Sequence, residues 1–270
     1  MKNLSVRVTA CAAAAAFASS AIAIDPWADG VLSYTPGEGA GAFTSSGTAL
    51  GMPTRMTGIG TKYQSAATPF NAAYEASDIV SVGRGGSLVV QFDEPVTDDA
   101  ANPFGIDLLI FGNSFYADSQ WPQGIVAGFF SGGGTIEVSA DGADWRTIPG
   151  VQADGLHPTL AFSDLTDPYS PTGGGTQSDF TRPVDPSFEA ELGMTFAEIC
   201  AGYAGSGGGA GVDIGLVGLI EVRFVRISNP IDGADVSQID AFADVTGIPA
   251  PASVLAFGIS TIPAWRRRRA

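Results

Sequence analysis

Thr135–Ile148, TIEVSADGADWRTI, decides the fold class. Thr135-Ile136-Glu137-Val138-Ser139 alternates polar with apolar, the period of a half-buried strand. Asp141-Gly142 then supplies a reversal, because these two residues accept the positive φ of tight turns. Trp145-Arg146-Thr147-Ile148 runs back. The stretch predicts a β-hairpin.

The same punctuation recurs on either side. Val31–Tyr34 is a strand candidate. Ile79–Val82 and Ser87–Phe92 flank Gly83-Arg84-Gly85-Gly86, which reads as a second hairpin turn. Asp107–Phe111 is nearly continuous in apolar residues, the mark of a central strand. Glu221–Ile227 alternates, with Glu221 and Arg223 on one face. Val222, Phe224 and the Val225/Ile227 pair are assigned to the core, with one register step left open. Asn229-Pro230 to Asp232-Gly233 makes the next turn, and Val236–Val245 closes the body through Ile239, Ala241 and Ala243. One or two short helices interrupt the strands. Pro186–Leu192 fits a helical turn or two, and Thr195-Phe196-Ala197-Glu198 fits a capping box with Gly202 ending the helix. Short strands at irregular spacing, with long connections, predict an all-β fold: a β-sandwich of jelly-roll type. Three parts follow: a leader over 1–23, the sandwich over 24–245 and a tail over 246–270.

Composition agrees. Among 270 residues, 45% are apolar and only 15% charged, with 36 Gly and 17 Pro. That is turn-rich, weakly charged sequence with enough apolar area for a core. The formal net charge is −15. Leaving out Lys2, Arg7 and the four terminal arginines leaves 7 basic against 28 acidic residues, a net −21. Nucleic-acid binders displace counterions with a basic face, so nucleic acid is excluded as a partner. An acidic exported chain suits divalent cations or neutral polysaccharide, and its charge serves solubility equally well.

The first residues read as a secretory signal. Lys2 and Arg7 make a basic region, Val8–Ser20 is small and mostly apolar, and Ala21-Ile22-Ala23 is a small-x-small site for signal peptidase. Cleavage after Ala23 leaves Cys200 as the one cysteine of the mature chain, so the exported fold stands on packing without an intrachain disulfide. Cys200 is expected to be buried and inert.

The tail repeats the logic at the other end. Val254–Trp265 is apolar, and Arg266, Arg267, Arg268 and Arg269 follow it. As a helix the apolar part would span about 18 Å at ~1.5 Å per residue, against a hydrocarbon core of ~30 Å. Such a segment suits transient membrane association, with the arginines held on the cytoplasmic side. Pro249-Ala250-Pro251-Ala252, then the apolar run, then the arginines, resembles the PEP-CTERM sorting signal of exopolysaccharide-producing bacteria. The usual motif is Pro-Glu-Pro; here Ala250 stands in the middle. The resemblance implies an exosortase-like sorting enzyme as partner and a destination in the envelope, cell surface or extracellular matrix of a Gram-negative-type bacterium. The body blocks GRGGSLVVQFDEPVTDDAANPFGIDLLIFGNSFY, TIEVSADGADWRTIP, EVRFVRISNP and VSQIDAFADV resemble, in order, a family of exported bacterial cell-surface proteins common in planctomycetes. Ser139, Asp141, Gly142 and Trp145 are similar to a piece of discoidin-like, galactose-binding sandwiches.

Chemistry-bearing residues are sparse. His157 is the sole histidine and sits before Pro158, so it is expected in a surface loop rather than in a catalytic triad. Two Asp-Gly-Ala-Asp runs, Asp141 to Asp144 and Asp232 to Asp235, are candidate calcium loops, since calcium takes oxygen ligands. The same runs serve equally as backbone turns. Asp98-Asp99 with Asn102 is a third acidic loop. For ligand contact the candidates are Asn113, Tyr116, Asp118 and Trp121, which mix aromatic faces with amide and carboxylate after the central strand. Trp145 is expected in the core. Together these features predict a non-catalytic exported surface protein that binds extracellular polysaccharide. A glycan hydrolase using paired carboxylates and a purely structural coat component are the alternatives.

Overall fold

The computed structural model describes residues 25–245. The leader with Ala21 and Ala23, and the tail with Pro249, Ala250, Pro251, Ala252 and Arg266 to Arg269, lie outside the described residues. The strands are β1 (Gly30–Thr35), β2 (Met56–Thr57), β3 (Ser65–Ala66), β4 (Val80–Val82), β5 (Ser87–Thr97), β6 (Leu108–Gly112), β7 (Phe115–Asp118), β8 (Val126–Phe130), β9 (Gly133–Ser139), β10 (Arg146–Asp154), β11 (Ala210–Val212), β12 (Glu221–Ser228) and β13 (Ser237–Asp244). One α-helix, α1, covers Phe196–Tyr203.

Pairing is nested. β4 pairs with β13, β5 with β12, β6 with β11 and β9 with β10, all antiparallel. The nested ribbon is folded over into two sheets, ordered β1-β5-β12-β9-β10 and β11-β6-β13-β4. This is a jelly-roll sandwich with β1 added at one edge.

The Asp141-Gly142 hairpin forms as expected, with Arg146 opposite Val138. The other two turns do not close hairpins. Gly83–Gly86 and Asn229–Val236 each carry the chain from one sheet to the other, and they cross together. Gly85 N–H donates to the Asn229 carbonyl (2.9 Å), while Asn229 Nδ2 donates to the Val82 carbonyl (2.7 Å) and to Ser237 Oγ (3.0 Å).

Between the sheets lie Val82, Leu88, Val90, Leu108, Ile110, Ile136, Val138, Val225, Ile227 and Phe242. The outer face of the four-stranded sheet is buried as well. Leu109, Phe111, Ala241 and Ala243 pack there against Ala67, Phe162 and Phe180. β6 is therefore covered on both faces, which is why its sequence is continuously apolar. A register shift between Val222 and Phe224 turns Phe224 away from the core, while Val222, Val225 and Ile227 stay inside. This resolves the open register step and removes Phe224 from the predicted core.

Three further expectations are corrected. Pro186–Leu192 is turns and irregular chain rather than helix. Helix α1 has both halves of its capping box: the Thr195 side chain accepts from Glu198 N–H, and Thr195 N–H donates to Glu198 Oε2 (2.8 Å). It runs through Gly202, however, and stops at Ala204, whose φ is 50°. Trp145 lies on the outer face of the five-stranded sheet. The Arg226 guanidinium sits 4.2 Å from its ring centroid and pairs with Glu137 at 2.6 Å.

Both ends of the described body leave from one place. Trp27 bridges Ala243, and Val245 N–H donates to the Asp107 carbonyl (2.9 Å) at the start of β6. Among the described residues no helix is long and apolar enough to cross a membrane.

Candidate functional site

At the far end of β6 the chain passes through Asn113-Ser114 into β7, and β8 returns beside it. The register sets Phe115 opposite Phe130 and Tyr116 opposite Phe129. Neighbouring residues on a strand face opposite sides, so Phe115 and Phe130 share one face of the ribbon and Tyr116 and Phe129 the other, where Tyr116 is buried and Phe129 is 38% exposed. Outside, Phe115 and Phe130 stack with centroids 5.1 Å apart and planes at 16°. They are 36% and 55% exposed. Inside, Tyr116 is 4% exposed and packs with Phe70, Val126, Leu160, Phe196 and Tyr203.

One carboxylate holds this ribbon to the sandwich. Asp154, at the end of β10, is fully buried. Its Oδ1 accepts from Ser114 N–H (2.7 Å), and its Oδ2 accepts from Gly132 N–H (3.1 Å) and Gln238 N–H (3.2 Å). Ser114 leads into β7 and Gly132 leaves β8, so both roots of the ribbon are tied to one side chain. Burial pushes the Asp154 carboxyl up to about 6, against the pull of these N–H donors.

A shallow hollow of about 210 Å³ opens beside Phe115. Phe70, Asn71, Tyr74 and Asn113 complete it. Both amides spend an N–H on the protein. Asn71 Nδ2 donates to Ser65 Oγ (2.6 Å) and the Ala66 carbonyl (3.1 Å), and Asn113 Nδ2 donates to Gln238 Oε1. Among the described residues no donor bonds either carbonyl oxygen.

Of the four predicted contact residues, only Asn113 belongs to this hollow. Tyr116 points into the core. The Asp118 carboxylate is occupied by Gln120, Gly124 and Ile125 N–H groups (2.9, 2.8 and 2.9 Å) and by the Tyr169 hydroxyl (3.3 Å). These donors hold its carboxyl below the usual range although burial opposes them. Trp121 is 73% exposed at the ribbon's tip, with its ring 6.1 Å from Tyr169. Sequence reasoning missed Phe130, Asn71, Tyr74 and Asp154. The doublet Phe129-Phe130 before a glycine run was the available signal.

The acidic loops are turns. Asp141 Oδ1 accepts from Ala143 and Asp144 N–H (2.9 Å each), which with Ser139 Oγ holds its carboxyl below the usual range. Asp144 and Asp232 are exposed, and the Asp235 carboxylate lies against Gly133. Asp141 follows the end of β9 and Gly133 begins it. The two Asp-Gly-Ala-Asp loops therefore stand about 20 Å apart, at ~3.3 Å per residue. Asp99 accepts from Ala101 N–H (2.9 Å), and Asn102 donates to Asp107 (2.9 Å). Among the described residues no group of three or more His, Cys, Asp or Glu is arranged to hold a metal ion.

A second, larger hollow of about 440 Å³ lies where the edge strands β10 and β11 meet the inner side of the ribbon. His157 lines it. It is half-buried rather than on an open loop, with its ring edge-on to Tyr203 at 6.1 Å. Cys200 is half-buried against the Tyr203 cluster, and burial pushes its thiol up to about 11. That is unreactive at neutral pH.

Comparison of the sequence with protein-family models and with curated proteins finds no match.

Proposed function

We propose that this chain is a non-catalytic exported surface protein whose jelly-roll body binds polysaccharide on the Phe115–Phe130 face. Signal peptidase removes the leader, and an exosortase-like enzyme acts at the Pro249–Ala252 motif. The observation that carries the binding reading is the stacked, half-exposed phenylalanine pair beside a hollow rimmed by Asn71 and Asn113. Sugar rings present apolar C–H faces to aromatics and hydroxyls to amide oxygens. The arrangement has both partners and no charge, which suits a neutral glycan. Among the described residues no Asp or Glu lines either hollow. A hydrolytic carboxylate pair would need that position, so binding is the better-supported reading. The placement supports surface presentation as well. Asn113 follows β6, while Val245 bonds at its start, so the face lies a strand's length, about 20 Å, from where leader and tail depart.

Affinity electrophoresis of the full chain through gels containing neutral polysaccharides tests the binding. Wild type is expected to be retarded, and Phe115→Ala with Phe130→Ala to lose about tenfold in affinity, some 1.4 kcal/mol. Equal retardation of both proteins would remove the platform from the reading. Sorting has its own test. The full chain is expected to pass through the membrane fraction and a chain ending at Ala252 to appear directly in the soluble exported fraction; identical distributions would refute the tail's role.

A further inference from the structure

The larger hollow uses different residues from the glycan face. Ile106, Phe129, Val151, Leu156 and Val184 supply the large apolar side chains of its wall. Among the described residues its lining contains no Lys, Arg, Asp or Glu, and His157 is the one ionisable group in it. At about 440 Å³ it falls in the range of small-molecule sites, ~300–1,000 Å³. A helix with its side chains is about 10–12 Å across, so little more than one helical turn would fit. A charged ligand would lose its hydration there and find no counter-charge. The lining therefore selects a small, uncharged, mostly apolar molecule.

His157 adds a direction. Its Nε2 lies 3.1 Å from the Phe188 carbonyl oxygen. A carbonyl only accepts, so Nε2 carries the proton and Nδ1 keeps its lone pair in the neutral ring. Burial lowers the ring's pKa and favours that neutral form, against the pull of Asp185. The backbone is fixed as well. His157 has φ 61°, in the left-handed region that side-chain-bearing residues seldom adopt. Its carbonyl accepts from Gly209 N–H (2.7 Å), and a Cβ at Gly208 would come within 2.7 Å of that same oxygen. The glycine run allows this close approach and so holds the imidazole on the cleft wall. Phe188 and Tyr203 pack against the ring, at 6.3 and 6.1 Å.

We propose that this cleft binds a small neutral apolar molecule bearing one hydrogen-bond donor, which His157 Nδ1 accepts. The proposal is independent of the polysaccharide reading, since Phe129 and Phe130 point to opposite sides of the ribbon. Indole is a suitable probe, being apolar and uncharged with a single N–H; 1-methylindole is the same body without the donor. The full chain labelled with ¹⁵N is titrated with each. Indole is expected to shift the amide resonances of Val151, Leu156, His157 and Ala210 saturably, and 1-methylindole to bind about fivefold more weakly, the loss of one hydrogen bond. Val151→Trp fills the cleft and is expected to abolish binding of both probes. His157→Phe keeps the ring packing and removes both nitrogens, and is expected to erase the difference between the probes; it serves also if Val151→Trp does not fold. Non-saturable shifts, shifts centred on Phe115 and Phe130, or unaltered binding to Val151→Trp would overturn the site. Equal affinity of the two probes for wild type, or a preference that survives in His157→Phe, would overturn the role of His157.

Discussion

A methyl group added at Gly202 would overlap the ring of Phe188, which packs edge-on to Tyr203 at 5.9 Å. The residue sits inside α1, where alanine is ordinarily favoured over glycine by about 1 kcal/mol. Two effects therefore oppose each other, and the ring is the larger because Phe188 is hemmed in by His157 and Tyr203. Gly202→Ala is expected to destabilise the protein by about 1–3 kcal/mol, as overpacked cores do. Urea denaturation reads this directly; an unchanged or higher midpoint would mean the ring simply moves aside. A glycine near a capping box invites reading as a helix stop, and nothing in the local sequence says that a phenylalanine fourteen positions earlier needs the space. The candidate site was hidden by the same kind of distance. Phe115 and Tyr116 are adjacent aromatics on one strand, and alternation guarantees that they face opposite ways. Which one faces water depends on what lies behind the ribbon, the cluster of Phe70, Leu160 and Phe196, drawn from remote segments. Asn113 was legible because it follows a strand end. Asn71 and Tyr74 were not, because the fold alone brings them beside it.

At the scale of elements, the strands of the two main sheets apart from β11 were readable, while the β7–β8 ribbon and the strand partners were not. Alternation marked β9, β10 and β12, and continuous apolarity marked β6 as central. These patterns report one or two buried faces and so survive any topology. The turns were a different matter. Gly83–Gly86 and Asn229–Gly233 have the composition of hairpin turns, and both reverse the chain. Each nevertheless passes between sheets, because β4 finds β13 and β5 finds β12 instead of each other. Local φ/ψ preference decides that a chain turns; it does not decide whether the following strand bonds beside the first or packs across from it. Asn229 settles the matter here by bonding Val82 and Ser237, on two strands of the opposite sheet. The nested pairing also explains why long irregular connections are tolerated. Residues between β10 and β11 cover the outer face of the four-stranded sheet and supply Ala161, Phe162 and Phe180 to its second apolar layer.

The molecule as a whole carries buried acid in an acidic body, and its stability should follow pH in a definite sense. Burial pushes Asp154 up to about 6. It pushes Asp240 up to about 7, with the charge of Asp78 adding to the effect, and Asp244 up to about 7, with Asp107 adding. A carboxyl whose folded pKa exceeds its unfolded value of about 3.9 binds its proton more tightly when folded. Its contribution is full at low pH and is lost as pH rises through the folded value. Each group can tilt the curve by at most about 1.4 kcal/mol per pH unit. The carboxylates held low by turns and caps, Asp118, Asp141, Asp164, Asp185 and Glu198, act in the opposite sense, but their contribution is complete above about pH 4 and flat thereafter. His157, kept neutral by burial, favours folding as pH rises toward its unfolded value of about 6.5 and so offsets part of the slope. Mutual repulsion among the acidic surface groups grows in the same direction as the buried terms. The melting temperature is therefore expected to fall between pH 5 and pH 8, by on the order of 10 °C for a chain of this size. Calorimetry across that range checks it, and added salt separates the causes, because salt screens surface repulsion far more than buried charge. Asp240→Asn is the decisive variant. Its carboxylate accepts from Thr54 N–H (2.8 Å) and Thr54 Oγ1 (2.9 Å), and an amide oxygen can keep one of these bonds while removing the titration. The variant's melting curve should be flatter between pH 5 and pH 8 in high salt. A wild-type melting temperature that stays constant or climbs across the window would show that these carboxyls reach solvent when folded.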